Sequence, residues 1–213
     1  MPNDIRDAPA YGVSEAARFI RIPRATLAYW TRGRRPVIEP PRPGGPLSFN
    51  NLVEAHVLRA LRSVHGTRMG NVRSALSYAE EQLGISRLLL HDELLTSGGE
   101  LFLQQLDQLI NLSRSGQLAL RTLLQDCLNR VERDDQRLPF RLFPVLPRQS
   151  ANARAISINP KVSFGRPVLA GSGVSTRALV DRIDVGEDIA AVAHDYGLDE
   201  SQIHDAVLYE TTA

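Results

Sequence analysis

The sequence predicts a mainly helical chain with small β elements, an α+β organisation in two principal units. Three observations carry this. Apolar residues recur at i, i+3, i+4 and i+7 in one segment after another. An early stretch, "RRPVIEPPRPGGPLS", is too rich in proline to continue that pattern. Two strand-like segments, "LPFRLFPVL" and "AISINP", then precede three short helical segments near the end. With 213 residues, 43% of them hydrophobic, the chain has the composition of an ordinary globular protein and the length for two modest units.

Ser14 is placed to cap a short first helix on which Val13, Ala16, Ala17 and Ile20 share one face. Pro23 opens a second helix. Its inward face is Leu27 and Trp30, and its outward face is Arg24, Ala25, Ala28, Tyr29 and Arg32. Gly33 stops it, and the proline-rich segment suits an extended hairpin or loop. Ser48 starts a long helix with Phe49, Leu52, Val53, Val57, Ala60, Leu61 and Val64 on its apolar stripe. After "GTRMGN", another helix carries Val72, Ala75, Leu76, Ala79 and Leu83 and ends before Gly84.

The segment "LLLHDELLTSGGELFLQQ" reads as a hairpin turning at Ser97-Gly98-Gly99, with a second small turn at "LSRSGQ". Leu120, Leu123, Leu124, Cys127, Leu128 and Val131 mark a further helix, which the charged "ERDDQR" ends. In the last part Ser175, Gly186 and Asp199 punctuate three helices, and Asp199 with Gln202 forms a capping-box pattern. These readings divide the chain into residues 1–85, a connecting α/β region 86–137, and residues 138–213 with a strand unit and a three-helix module.

The net charge of +1 conceals two opposite ends. Between Val13 and Pro46, seven arginines stand against Glu15 and Glu39, a balance of +5. From Ser175 to Ala213, Arg177 and Arg182 stand against nine acidic residues, a balance of −7. The first end suits phosphate, whereas the second is repelled by it and suits a protein contact. Cys127 is the single cysteine and falls on an apolar stripe, so intrachain disulfides and thiolate zinc cages are excluded. No apolar run is long enough to cross a bilayer, and the first residues lack the pattern of a secretory signal. The expected location is the cytoplasm, with no membrane partner.

A helix, a turn, an amphipathic helix with a basic outward face and an irregular basic hairpin are the layout by which a winged helix-turn-helix enters a DNA groove. Arg24, Thr26, Tyr29 and Arg32 on the second helix are the candidate contacts to bases and phosphates, and Arg34, Arg35 and Arg42 on the wing are candidates for the backbone. Residues 11–65 resemble the MerR family in "VSEAARFI", "TLAYW" and "SFNNLVEAHVLRALR". Ala28 departs from the resemblance, standing where that family usually has an arginine.

The last sixty or so residues are similar to small domains of VapB-type antitoxins in "INP", "GRPVLAGSGVST", "DIAAVAHDYGL" and "QIHDAVLYE". The resemblance implies a PIN-like ribonuclease toxin encoded beside the chain. Such a nuclease needs acidic metal ligands, with which Arg166, Arg177 or Arg182 could pair. Gly165, Gly171 and Gly173 read as turn glycines, and "GSG" lacks the Lys-Ser/Thr ending of a phosphate loop. His194-Asp195 and His204-Asp205 have no nucleophile or third ligand spaced to them, and His56, His65 and His91 are isolated. The reading is therefore of a non-enzyme with no catalytic residue, cofactor or metal site. It is an antitoxin that neutralises a PIN-like toxin and binds operator DNA as a homodimeric autorepressor. The rival is a stand-alone MerR-type regulator sensing a small apolar ligand.

Overall fold

The structure, a computed structural model, describes residues 4–32, 36–62, 68–110, 113–145 and 152–211, apart from the side chains of Leu95 and Arg114. Helices α1 (Val13–Phe19) and α2 (Arg24–Thr31) pack against each other through Ala16, Ala17, Phe19, Leu27 and Trp30. Gly12 is the N-cap of α1 and offers no side-chain cap; Ser14, expected to cap, lies inside the first turn. Pro23 precedes α2, where its missing N–H costs nothing. The helix ends at Thr31, whose hydroxyl turns back to the Leu27 carbonyl at 3.0 Å.

Gly33, Arg34 and Arg35 lie outside the described residues. Beyond them, the proline-rich stretch forms no strand ladder of its own. The Val37 and Ile38 amides donate to the Trp30 carbonyl, and Leu47 makes an isolated antiparallel bridge to Tyr11. Five prolines between 36 and 46 remove the donors a hairpin ladder needs.

Helix α3 (Phe49–Arg62) is the central rod of the molecule. Twelve of its residues are buried, with Arg59 half-buried and Arg62 exposed at its last turn. Its start fits the expectation at Ser48: Ser48 Oγ accepts from the Asn51 amide and Asn51 Oδ1 accepts from the Ser48 amide, a reciprocal cap. Several of the polar groups buried along α3 are paired, while Asn50 Oδ1 and His56 Nδ1 have no hydrogen-bond partner among the described residues. Glu54 pairs with Arg87 at 2.8 Å and accepts from Asn51, while His56 Nε2 lies 3.2 Å from the Cys127 carbonyl. Helix α4 (Met69–Leu83) ends as expected at Gly84, which takes the left-handed conformation.

The hairpin expected at residues 88–105 is not formed. The chain makes 3-10 turns at Leu88–Leu90 and Asp92–Leu95 and then helix α5 (Ser97–Ile110). Gly98 and Gly99 are the first turn of α5. They are buried so closely that a Cβ on either would overlap the carbonyls of Glu93 and Leu94. Close approach explains this glycine pair better than turn geometry does. Helix α6 (Arg114–Leu128) is capped by Ser113, so part of the "LSRSGQ" turn is already helical.

Strands β1 (Val131–Arg133) and β2 (Pro139–Leu142) form an antiparallel hairpin, and β3 (Ile156–Ser157) pairs with β4 (Val168–Leu169). Val131 thus belongs to a strand, not to α6. The boundary expected at 137 falls in the β1–β2 turn. An isolated bridge from Leu142 to Ile158 links the two ladders. The chain closes with α7 (Thr176–Asp184), α8 (Ile189–Tyr196) and α9 (Glu200–Thr211), at the places the apolar spacing indicated. Asp188 caps α8, and the Asp199 amide donates to Gln202 Oε1 at 2.9 Å.

The buried apolar residues fall into two clusters. One runs from Tyr11 to Leu128 and takes in Val131, Leu142 and Ile158; the other joins Ile156, Leu169, Leu179, Val192, Ile203 and Tyr209. The joint between them is made by α1 and the residues on either side of it. The Tyr209 hydroxyl donates to the Phe19 carbonyl at 2.9 Å, Arg21 donates to the Tyr209 carbonyl at 2.8 Å, and Tyr11 donates to the Gly165 carbonyl at 3.1 Å. Arg18 pairs with Glu210, whose side chain is only 3% exposed and also accepts from Thr176.

Candidate nucleic-acid and partner sites

Helix α2 holds its outward face in place because Leu27 and Trp30 are anchored beneath it. Each is almost fully buried, a burial worth about 1.5–3 kcal/mol for a side chain of Leu size. Arg24, Tyr29 and Arg32 are exposed, and Arg42 is exposed in the turn that closes at Gly45. Thr26 sits between Arg24 and Tyr29, and its hydroxyl accepts a hydrogen bond from Arg62 of α3. Ala25, Thr26, Tyr29, Arg62 and Met69 border a shallow concavity of about 350 Å³. Arg62 is therefore a member of this face that the sequence did not single out. Nothing in the sequence signals it, since it lies 36 residues from Thr26.

Two of the seven arginines counted in the basic segment are used inside the molecule. Arg18 faces Glu210, and Arg21 stacks 5.0 Å from the Tyr209 ring centre. Burial pulls the Arg21 guanidinium below its ordinary pKa, partly countered by the Tyr209 and Glu210 side chains. The outward charge on the described part of this end is Arg24, Arg32 and Arg42, with Arg62 at its edge. Arg34 and Arg35 lie outside the described residues.

In the last module, the three candidate arginines differ sharply. Arg182 is clamped by Glu187, by Asp195 at 2.7 Å and by the Tyr196 ring at 5.6 Å. Hydrogen bonds to Glu187 and then Asp195 raise its pKa above the ordinary arginine value and lower both carboxylates. Arg177 pairs with Asp181 at 2.5 Å and lies 3.9 Å from Asp184. Arg166 is exposed, and no ion pair to it is present among the described residues. Of the three, it is the one whose charge is not already answered by this chain's own carboxylates.

The histidine pairs give no reacting geometry. His194 is 91% exposed and 3.9 Å from Asp195, and among the described residues no three His, Cys, Asp or Glu side chains gather as a metal cage would require. Cys127 is buried against α3, and burial raises its thiol pKa. A concavity of about 420 Å³ beside α4 is lined by Glu39, Glu54, Glu80, Arg73 and Arg87 among others. Charge of both signs makes it a poor seat for an apolar ligand. Among the described residues no helix is long and apolar enough to cross a membrane.

Residues 156–209 match a family described as a protein of unknown function, DUF433. Over nearly its whole length the chain is similar to a protein of Mycobacterium tuberculosis (strain ATCC 25618 / H37Rv) described as "Putative antitoxin VapB45". The two are 31% identical over 229 residues, covering 94% of this chain and 93% of that one. The crystal structure of Rv2018 from Mycobacterium tuberculosis superimposes with a TM-score of 0.74 at 26% identity, covering 94% of this chain and 98% of that chain.

Proposed function

The chain belongs to the same family as the mycobacterial protein described as "Putative antitoxin VapB45", and from that premise we propose that it is the antitoxin of a type II toxin–antitoxin pair. It neutralises a PIN-like ribonuclease and represses its own operator. The observation that carries this reading is the extent of the similarity, which spans 94% of this chain and so takes in the basic first end and the acidic last end together. A regulator sharing only its DNA reader would match over the first part alone.

Residues 1–85 act as a MerR-like winged helix-turn-helix. Arg24, Thr26, Tyr29 and Arg32 face the groove, and Arg34, Arg35 and Arg42 hold the backbone from the wing. Arg62 keeps Thr26 oriented. Operator half-sites related by two-fold symmetry call for a homodimer. Residues 138–213 meet the toxin. A PIN-type nuclease gathers acidic side chains around its metal ion, and a guanidinium placed against them pairs bidentately and competes with that ion. Arg166 is the first choice for that role because Arg177 and Arg182 already have carboxylate partners.

Co-expression of the full chain with the PIN-type ribonuclease encoded beside it tests the proposal. Restored growth, with a complex of the two proteins retarding the upstream DNA, is the expected outcome. Undiminished toxicity beside well-expressed full chain overturns it.

A further inference from the structure

Phe164 is 94% exposed, the most exposed large apolar side chain among the described residues. It is displayed by an unusual piece of backbone. Ser163, Phe164 and Gly165 take φ of 45°, 55° and 77° in succession, so two consecutive non-glycine residues occupy the left-handed region. For a bulky residue this is a rarely populated conformation, and it persists only where the surroundings enforce it.

They do so here from several sides. The Val162 amide donates to the Asn159 carbonyl, the Gly165 amide to the Val162 carbonyl and the Arg166 amide to the Ser163 carbonyl, at 2.9, 2.9 and 3.1 Å. Ser163 Oγ donates to the Gly173 carbonyl at 3.2 Å, and the buried Tyr11 hydroxyl donates to the Gly165 carbonyl at 3.1 Å. A Cβ at residue 165 would overlap that hydroxyl, so glycine is required for closeness as well as for its φ. The loop is fixed at both ends and from beneath, yet its aromatic side chain touches solvent. A loop held this way has little backbone freedom left to lose on docking, so only the ring's own rotamers must be fixed.

Two cations flank it. Lys161 and Arg166 are both exposed, three residues before and two residues after the ring, and Arg166 has no ion pair among the described residues. An aromatic ring between two cations suits an apolar pocket with an acidic border. A DNA groove offers the acid without the pocket.

Resting on the antitoxin reading above, we propose that Phe164 is a rigid anchor that enters an apolar pocket of the PIN-type ribonuclease and brings Lys161 and Arg166 against its acidic centre. The anchor sets the position, and the arginine opposes the metal-binding carboxylates.

The test uses the full chain, the purified PIN-type ribonuclease encoded beside it, and the variants Phe164→Ala, Phe164→Leu and Arg166→Ala. Phe164→Ala removes an exposed side chain, so its urea midpoint should equal that of the parent. Its affinity for the nuclease should fall about 30-fold or more, as at a buried aromatic hot spot, while Phe164→Leu recovers part of the loss. Parent and Phe164→Ala binding the nuclease equally overturns the anchor and leaves the antitoxin reading standing. No binding by the parent overturns the antitoxin reading and the anchor with it. A halved mass of Phe164→Ala by light scattering assigns the ring to a second copy of this chain, and weakened operator binding with unchanged nuclease binding assigns it to DNA; either overturns the proposal.

Discussion

The two ends of the molecule use arginine in opposite ways. On α2 and the turn after it, Arg24, Arg32 and Arg42 are exposed and have no carboxylate partner among the described residues. In the last module, Arg177 and Arg182 are surrounded by Asp181, Asp184, Glu187 and Asp195 of the same module. The first arrangement leaves charge for a partner. The second spends it internally, while Lys161 and Arg166 of the same module stay exposed. A count of charges along a segment therefore differs from the charge available to a ligand, and Arg18 and Arg21 show the same difference within the basic end.

The joint between the ends is the place where this comparison breaks most readily. Tyr209 is 1% exposed and holds the end of α1 through its hydroxyl and Arg21, two residues beyond that helix, through its carbonyl. Tyr209→Ala should cost about 3–5 kcal/mol, the range for removing a large buried aromatic, and should loosen both ends together in urea unfolding followed by separate probes. Loss confined to the last module would mean that α1 stands without it.

Acid should attack the first cluster through His56. Burial lowers the His56 pKa from 6.5 to about 4. The unfolded chain then binds this proton more readily than the folded one, so stability is complete above pH 6.5 and falls as pH drops toward 4. The loss is of the order of 3 kcal/mol. His56→Gln should flatten that part of the stability–pH curve; an unchanged slope removes His56 as its source.

Two smaller effects sharpen the contrast between open and paired arginines. Arg24→Ala should weaken operator binding by about 1–3 kcal/mol and relax discrimination at one position, whereas Arg42→Ala should weaken binding to all sequences and lower the salt slope by about one. Fluorescence anisotropy at several salt concentrations separates the two. Arg177→Ala, which breaks an exposed i,i+4 pair, should change stability by no more than about 0.5 kcal/mol by denaturant titration.

Much of the helical frame was legible because periodicity and capping agreed. Ser48 opens α3 and Gly84 closes α4 where the pattern placed them, and the stripes of α7, α8 and α9 are the buried ones. The miss at α5 arose from a second use of glycine. Gly98-Gly99 is spelled like a turn, but it serves to let a helix approach the carbonyls of Glu93 and Leu94, a demand set by packing far from the local spelling. Of the candidate site, the inward and outward faces of α2 followed from spacing. The bond from Arg62 to Thr26 and the pairing of Arg18 with Glu210 join residues remote in the chain, which no spacing rule brings together. Phe164 was hidden for another reason: a phenylalanine is expected inside, and only the backbone at Ser163–Gly165 turns it out.

The central claim is that the two ends meet different partners, and a paired measurement on the full chain tests it most directly. Operator affinity and affinity for the PIN-type ribonuclease are measured for an Arg24→Ala, Arg32→Ala, Arg42→Ala variant and for Arg166→Glu. The account predicts that the first variant loses the DNA and keeps the nuclease, and that the second keeps the DNA and loses the nuclease. Both variants losing both partners, or the first binding operator as the parent does, would contradict it.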